Sequence, residues 1–178
     1  MTGSTSLPPV TLVLGGARSG KSAHAEALIE RAGRAPVYLA TATAGDAEME
    51  ARIAAHRARR GPRWTTVETP LDLLPALCRH AAPEAAVLVD CLTLWLANLM
   101  AAGRDVAAEG EALVAGLAGL AGPVVLVANE VGQGIVPGDP LARAFRDHAG
   151  RLNQAVAAAA DRVTLVVAGL PLALKPAA

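Results

Sequence analysis

The chain has 178 residues, enough for one domain with a sizeable core; 53% are apolar but only 2% aromatic, so that core must be packed from Ala, Leu and Val. Its formal net charge is zero, which removes any global argument for nucleic acid or an anionic membrane as partner. No apolar run reaches spanning length unbroken, Met1–Pro9 lacks the charged-then-apolar order of a signal peptide, and Cys78 and Cys91 read as reduced thiols, so the expected location is cytoplasmic.

Residues 1–9, rich in Ser, Thr and Pro, are expected to be a flexible extension, and residues 10–178 to form a single domain. Val10–Leu14 is a short apolar run ending in Gly15-Gly16, which predicts a buried strand. A helix is predicted from Lys21 to Ala32 and a strand from Pro36 to Ala40. Asp46–Arg60 reads as a polar, Arg-rich helix closed by Gly61-Pro62, and Trp64–Glu68 as a short strand. Leu71–His80 is predicted helical, Ala86–Asp90 a buried strand, and Leu92–Ala101 and Asp105–Leu120 helices. Val124–Ala128 is a strand before a Gly-rich loop over 131–140, followed by a long helix, Leu141–Ala160, and a last strand, Val163–Ala168. Continuous apolar strands alternating with helices predict an α/β domain whose mostly parallel sheet is covered on both faces. Apolar faces left exposed on such an aliphatic chain predict a homo-oligomer.

Gly15-Gly16-Ala17-Arg18-Ser19-Gly20-Lys21-Ser22 satisfies the phosphate-loop pattern, between a predicted strand and a predicted helix. The glycines let backbone N–H groups curl around phosphates, and the following helix points its positive end at them. Lys21 would reach the terminal phosphates and the Ser22 hydroxyl would coordinate Mg2+. Of sixteen basic residues only Lys21 and Lys175 are lysine. A chain that otherwise chooses Arg has placed a compact ammonium where a guanidinium fork fits poorly.

Phosphate-loop domains need a second carboxylate at the end of a buried strand. Val87-Leu88-Val89-Asp90 supplies one, with a helix cap as the competing reading. Asn129-Glu130 ends the next strand in the same way, before a loop suited either to close over a substrate or simply to connect. In the Arg-rich helix Glu48, Arg52, His56 and Arg60 fall four apart and line one face. That face reads as a solvated ion-pair stripe or as a reactive site. Neighbouring cations would keep the His56 imidazole neutral, a free nucleophile toward an α-phosphate, while the arginines bind phosphate.

Together these segments resemble the bifunctional adenosylcobinamide kinase / adenosylcobinamide-phosphate guanylyltransferase family. The resemblance rests on the loop 15–22, Tyr38-Leu-Ala-Thr41, Glu48-Met49, Ala51-Arg-Ile53 with His56, Val89-Asp-Cys-Leu-Thr93, Asn129-Glu-Val-Gly-Gln-Gly-Ile-Val-Pro137 and Leu141–Asn153. It implies a phosphate-loop NTPase-type domain using ATP and GTP with Mg2+, and a corrinoid, adenosylcobinamide, as second substrate. His56 holds the position of the guanylylated histidine; Ala55 stands where some members carry another His. Nucleotide contacts are implied at Gly15–Ser22, Ala40, Thr41, Ala42, Arg57, Ala58, Arg59, Arg60, Glu68 and Asp90, with Ser22 and Asp90 holding the metal. Gly138-Asp139 departs from the family pattern. Two other functions stay open on the residues alone: a small-molecule kinase without nucleotidyl transfer, and an NTP-dependent switch.

Overall fold

The structure, a computed structural model, describes residues 7–43, 54, 58 and 60–176. The elements in chain order are β1 (Val10–Gly15), α1 (Lys21–Arg31), β2 (Ala35–Ala40), β3 (Thr65–Glu68), α2 (Leu73–His80), β4 (Ala85–Asp90), α3 (Leu92–Ala101), α4 (Val106–Leu117), β5 (Val124–Asn129), α5 (Pro140–Ala159), β6 (Arg162–Val167) and β7 (Leu170–Lys175). Most of the helix expected over 46–60 lies outside the described residues, although Ala54, Ala58 and Arg60 are helical. Residues 1–6 lie outside them too, while Leu7 packs on the core and the Pro9 carbonyl accepts the Val124 amide at 2.8 Å.

The strands form one seven-stranded sheet in the order β3-β2-β4-β5-β1-β6-β7. The first six pair in parallel, as the alternation of strands and helices predicts, and β7 pairs antiparallel to β6. The last strand expected from sequence, Val163–Ala168, is therefore not the last. Ala168 and Gly169, both at positive φ (50° and 80°), make a two-residue turn that sends the chain back as β7. Pro171 weakened the strand signal there; on an edge strand its missing N–H costs no ladder bond.

Alternation along each strand splits the core in two. Leu12, Leu14, Val87, Val89, Val124 and Leu126 face α2–α5, meeting Leu77, Trp95, Leu113 and Val156. Val13, Leu88, Val125 and Val127 face α1, meeting Ala25 and Ile29, with Tyr38 and Trp64 beside them. Truncating Leu88, which is fully buried, is expected to cost about 2–5 kcal/mol.

Two helices begin on aspartate caps. Asp105 accepts the Ala107 and Ala108 amides at 3.0 and 3.1 Å, and Asp139 accepts the Ala142 amide at 2.8 Å ahead of Pro140. Helix α1 starts instead on left-handed Gly20, with no side-chain cap and no acid in its first turn. Its leading N–H groups stay available to an anion. No helix among the described residues is long and apolar enough to cross a membrane.

Candidate active site

Strand order and register bring Gly15, Ala40, Glu68, Asp90 and Asn129 to one edge of the sheet. Gly15 pairs with Asn129, Asp90 with Val127 and with Ala40, and Ala40 with Glu68. The carboxyl ends of β3, β2, β4, β5 and β1 thus run in a row. Connections from β1 and β5 leave in opposite directions, to β2 on one side and β6 on the other, so the crevice between Gly15 and Asn129 is a topological switch point.

The loop after β1 is tightly built. Lys21 is buried, and its ammonium donates to the Gly16 carbonyl at 3.2 Å. A Cβ on Gly15 would meet Ser19 Oγ at 2.4 Å and the Val166 carbonyl at 2.7 Å, so only glycine leaves room there. Arg18 adopts φ 57°, a strained value for a side-chain-bearing residue and one found at ligand-holding loops.

Asp90 is half-buried and does not cap α3: the N-cap is Cys91, and no side chain caps that helix. The Tyr38 hydroxyl donates to Asp90 Oδ2 at 3.1 Å. Burial, then the Asp90 charge, pushes the Tyr38 phenol well above its ordinary value, so it remains a donor. Burial and then the Asp90 charge also push the Cys91 thiol up, against the smaller lowering effect of the Leu94 and Thr93 amides.

Thr41 is fully buried, and its hydroxyl is spent on backbone: it donates to the Cys91 carbonyl and accepts the Cys91 amide, each at 2.8 Å. Asn98 locks that strand end by donating to the Thr41 and Pro70 carbonyls at 2.7 and 3.0 Å. Ala40 and Ala42 are half-buried nearby, and Glu68 is exposed at the end of β3. Arg60 is buried, with its guanidinium carbon 3.4 Å from the Tyr38 ring centroid and Nη1 3.7 Å from Glu26 Oε1. Ala58 is exposed. His56, Arg57 and Arg59 lie outside the described residues.

Sequence reasoning assigned nothing to Asn98, Thr93 or Asn153. Thr93 Oγ1 accepts the Asn129 amide at 2.7 Å, and Asn153 donates to the Asn129 carbonyl at 3.1 Å. Both hold the end of β5, and both fall within the motifs quoted above. The Gly-rich loop is exposed, Ile135 almost completely at 98%. Beside it an apolar cleft of about 540 Å³ is lined by Ala97, Met100, Val131, Leu141 and Phe145, with Arg146 at hand.

The donor set fits a hydrated hard cation. Asn129 Oδ1, at the end of β5, and Ser19 Oγ, in the phosphate loop, are buried with no hydrogen-bond partner among the described residues. Both belong to the crevice edge at which β4 ends in Asp90. No cluster of three His, Cys, Asp or Glu occurs among the described residues. Such a donor set suits Mg2+ held by one carboxylate, water and substrate phosphates better than an all-protein cage.

Comparison with known proteins decides the family. The model of the cobinamide kinase / cobinamide phosphate guanyltransferase family matches residues 11–174. The chain belongs to this family. It is 51% identical to the bifunctional adenosylcobalamin biosynthesis protein CobP of Pseudomonas aeruginosa, covering 92% of this chain and 96% of the relative. It is 45% identical to the bifunctional adenosylcobalamin biosynthesis protein CobU of Salmonella typhimurium, covering 92% and 98%. Membership makes the chain a bifunctional enzyme, a cobinamide kinase and guanylyltransferase of cobalamin biosynthesis.

Solved structures share the fold without close sequence. The flagellar accessory protein FlaH of Methanocaldococcus jannaschii superposes with a TM-score of 0.55 at 11% identity, over 97% of this chain and 80% of that one. A prototypical ATPase from the type III secretion system of pathogenic bacteria gives 0.52 at 11%, over 92% and 56%.

Proposed function

We propose that both activities run on the single crevice at the carboxyl edge of the sheet. The observation that carries this reading is the row Glu68, Ala40, Asp90, Asn129 and Gly15, set beside a buried Lys21. In the kinase step the γ-phosphate of ATP or GTP passes to the aminopropanol hydroxyl of adenosylcobinamide. The oxygen–phosphorus bond to the new ester forms, the bond to the β-phosphate oxygen breaks, and the hydroxyl proton leaves to solvent. Lys21 and the loop amides of Gly15–Ser22 neutralise charge on the transferred group. Ser22 and Asp90 would hold Mg2+, which when bound shields the polyphosphate charge.

In the second activity the neutral imidazole of His56 attacks the α-phosphate of GTP and pyrophosphate leaves. The phosphate oxygen of adenosylcobinamide phosphate then displaces the histidine, giving adenosyl-GDP-cobinamide. Splitting one transfer into two displacements is the benefit of the covalent intermediate. Arg57 and Arg59, beside His56 in sequence, supply phosphate-binding charge, and Ala40, Ala42 and Glu68 border the nucleotide. Exposed Leu170, Leu172 and Leu174 on edge strand β7 support a homo-oligomer, which sedimentation equilibrium tests directly.

GTP labelled at the α-phosphate tests the two-step reading. Label should survive denaturation on the wild type and be absent from His56→Ala, which keeps its kinase activity. Kinase activity with no pyrophosphate release from GTP would instead favour a simple small-molecule kinase.

A further inference from the structure

Resting on the reading of Asp90 as the metal carboxylate, we propose that Tyr38 is a positioning residue that sets the Asp90 carboxylate, and that Arg60 pins Tyr38 in place. The geometry is a chain of four side chains from four parts of the sequence. Glu26 stands on the phosphate-loop helix α1, Arg60 ends the Arg-rich segment, Tyr38 lies on β2, and Asp90 ends β4. Arg60 lies 3.7 Å from Glu26 and 3.4 Å from the Tyr38 ring centroid, and the Tyr38 hydroxyl is 3.1 Å from Asp90 Oδ2.

Each link has a physical job. A hydroxyl donated to one carboxylate oxygen fixes the carboxyl plane, and with it the direction of the second oxygen. Partners of this kind orient metal ligands, and losing one typically costs about 10–100-fold in metal affinity. Tyr38 cannot swing away, because its ring is held on one face by the guanidinium and edge-on by Trp64, with centroids 6.4 Å apart and planes at 78°. Arg60 is buried, and its Nε and Nη1 have no hydrogen-bond partner among the described residues. Its cation lies against the Tyr38 ring and beside Glu26. A planar guanidinium can stack in this way and an ammonium cannot.

The arrangement also joins the two transfers. Arg60 lies four residues after His56 in sequence, and Tyr38 touches the carboxylate used for the phosphoryl step. One aromatic ring thus couples the Arg-rich segment to the metal carboxylate and to the phosphate-loop helix.

The test is calorimetric binding of GTP to the full chain, titrated with Mg2+ and repeated in EDTA. Tyr38→Phe keeps the ring and removes only the hydroxyl. It should raise the half-saturating Mg2+ concentration about tenfold and leave binding in EDTA unchanged. Arg60→Lys should shift the Mg2+ requirement in the same direction by a smaller factor, and the double variant should be no worse than Tyr38→Phe alone. A Tyr38→Phe curve that superposes on the wild type overturns the inference. So does an equal loss of affinity in EDTA, which marks a general packing lesion. Wild-type binding that ignores Mg2+ overturns the metal reading itself, and this inference with it.

Discussion

The Gly169 amide donates to the Ser19 carbonyl at 2.8 Å, and that bond seats the β6–β7 turn against the phosphate loop. The contact is close on both sides: a Cβ on Gly20 would stand 3.2 Å from Gly169 Cα, and one on Gly15 2.7 Å from the Val166 carbonyl. The loop is clamped between the hairpin and the sheet, so its shape precedes any nucleotide.

Gly20→Ala tests that clamp. Gly20 sits at φ 95°, so a side chain is strained there before it meets Gly169. The expected cost is about 1–3 kcal/mol, read as a lower midpoint in chemical denaturation. Gly16 has nothing within 4 Å of its Cβ position, so the stability of Gly16→Ala should stay close to wild type.

Lys21→Arg should fail almost as badly as Lys21→Ala. The buried ammonium reaches back to the Gly16 carbonyl, in space shaped for a compact cation. Both variants should lose roughly 10²–10³-fold in the rate of phosphoryl transfer to cobinamide. An arginine variant of near wild-type rate would show that charge alone suffices.

His24, on α1 just past the loop, sets an expected pH dependence. Burial lowers its pKa below 6.5, and Arg31 and Arg162 add to the effect. The unfolded chain therefore binds the proton more tightly than the folded one. Stability is complete above pH 6.5 and declines as pH falls from 6.5 through the folded-state value. Thermal melts of nucleotide-free protein should show that decline in the wild type and a flatter acid limb in His24→Gln.

The two thiols should differ sharply. Cys78 is exposed, whereas Cys91 is buried and its thiol is pushed up by burial and by Asp90. Iodoacetamide on the native protein should modify Cys78 alone, with Cys91 reacting only in denaturant; peptide mass mapping distinguishes them.

Much of this was legible in the sequence because the governing signals are local. Val10–Gly15 and Val87–Asp90 are apolar runs ending in Gly or Asp, and both end as expected at the crevice edge. Strand order was not legible, since parallel strands of similar composition carry no register code. Strand β7 was missed because Pro171 interrupts it and its partner lies across a turn built on Ala168 rather than Asn-Gly. The roles of Thr41 and Tyr38 were hidden for a different reason. Thr41 reaches Cys91 from 50 residues away and Tyr38 reaches Asp90 from 52, contacts that exist only once β2 lies beside β4.

The central claim is a covalent guanylyl group on His56, and intact mass spectrometry after incubation with GTP and Mg2+ tests it most directly. The account predicts a mass increase of one guanylyl group, mapped to the peptide containing His56, absent from His56→Ala and reversed by adding pyrophosphate. An unchanged wild-type mass, or an adduct that persists in His56→Ala, would contradict it.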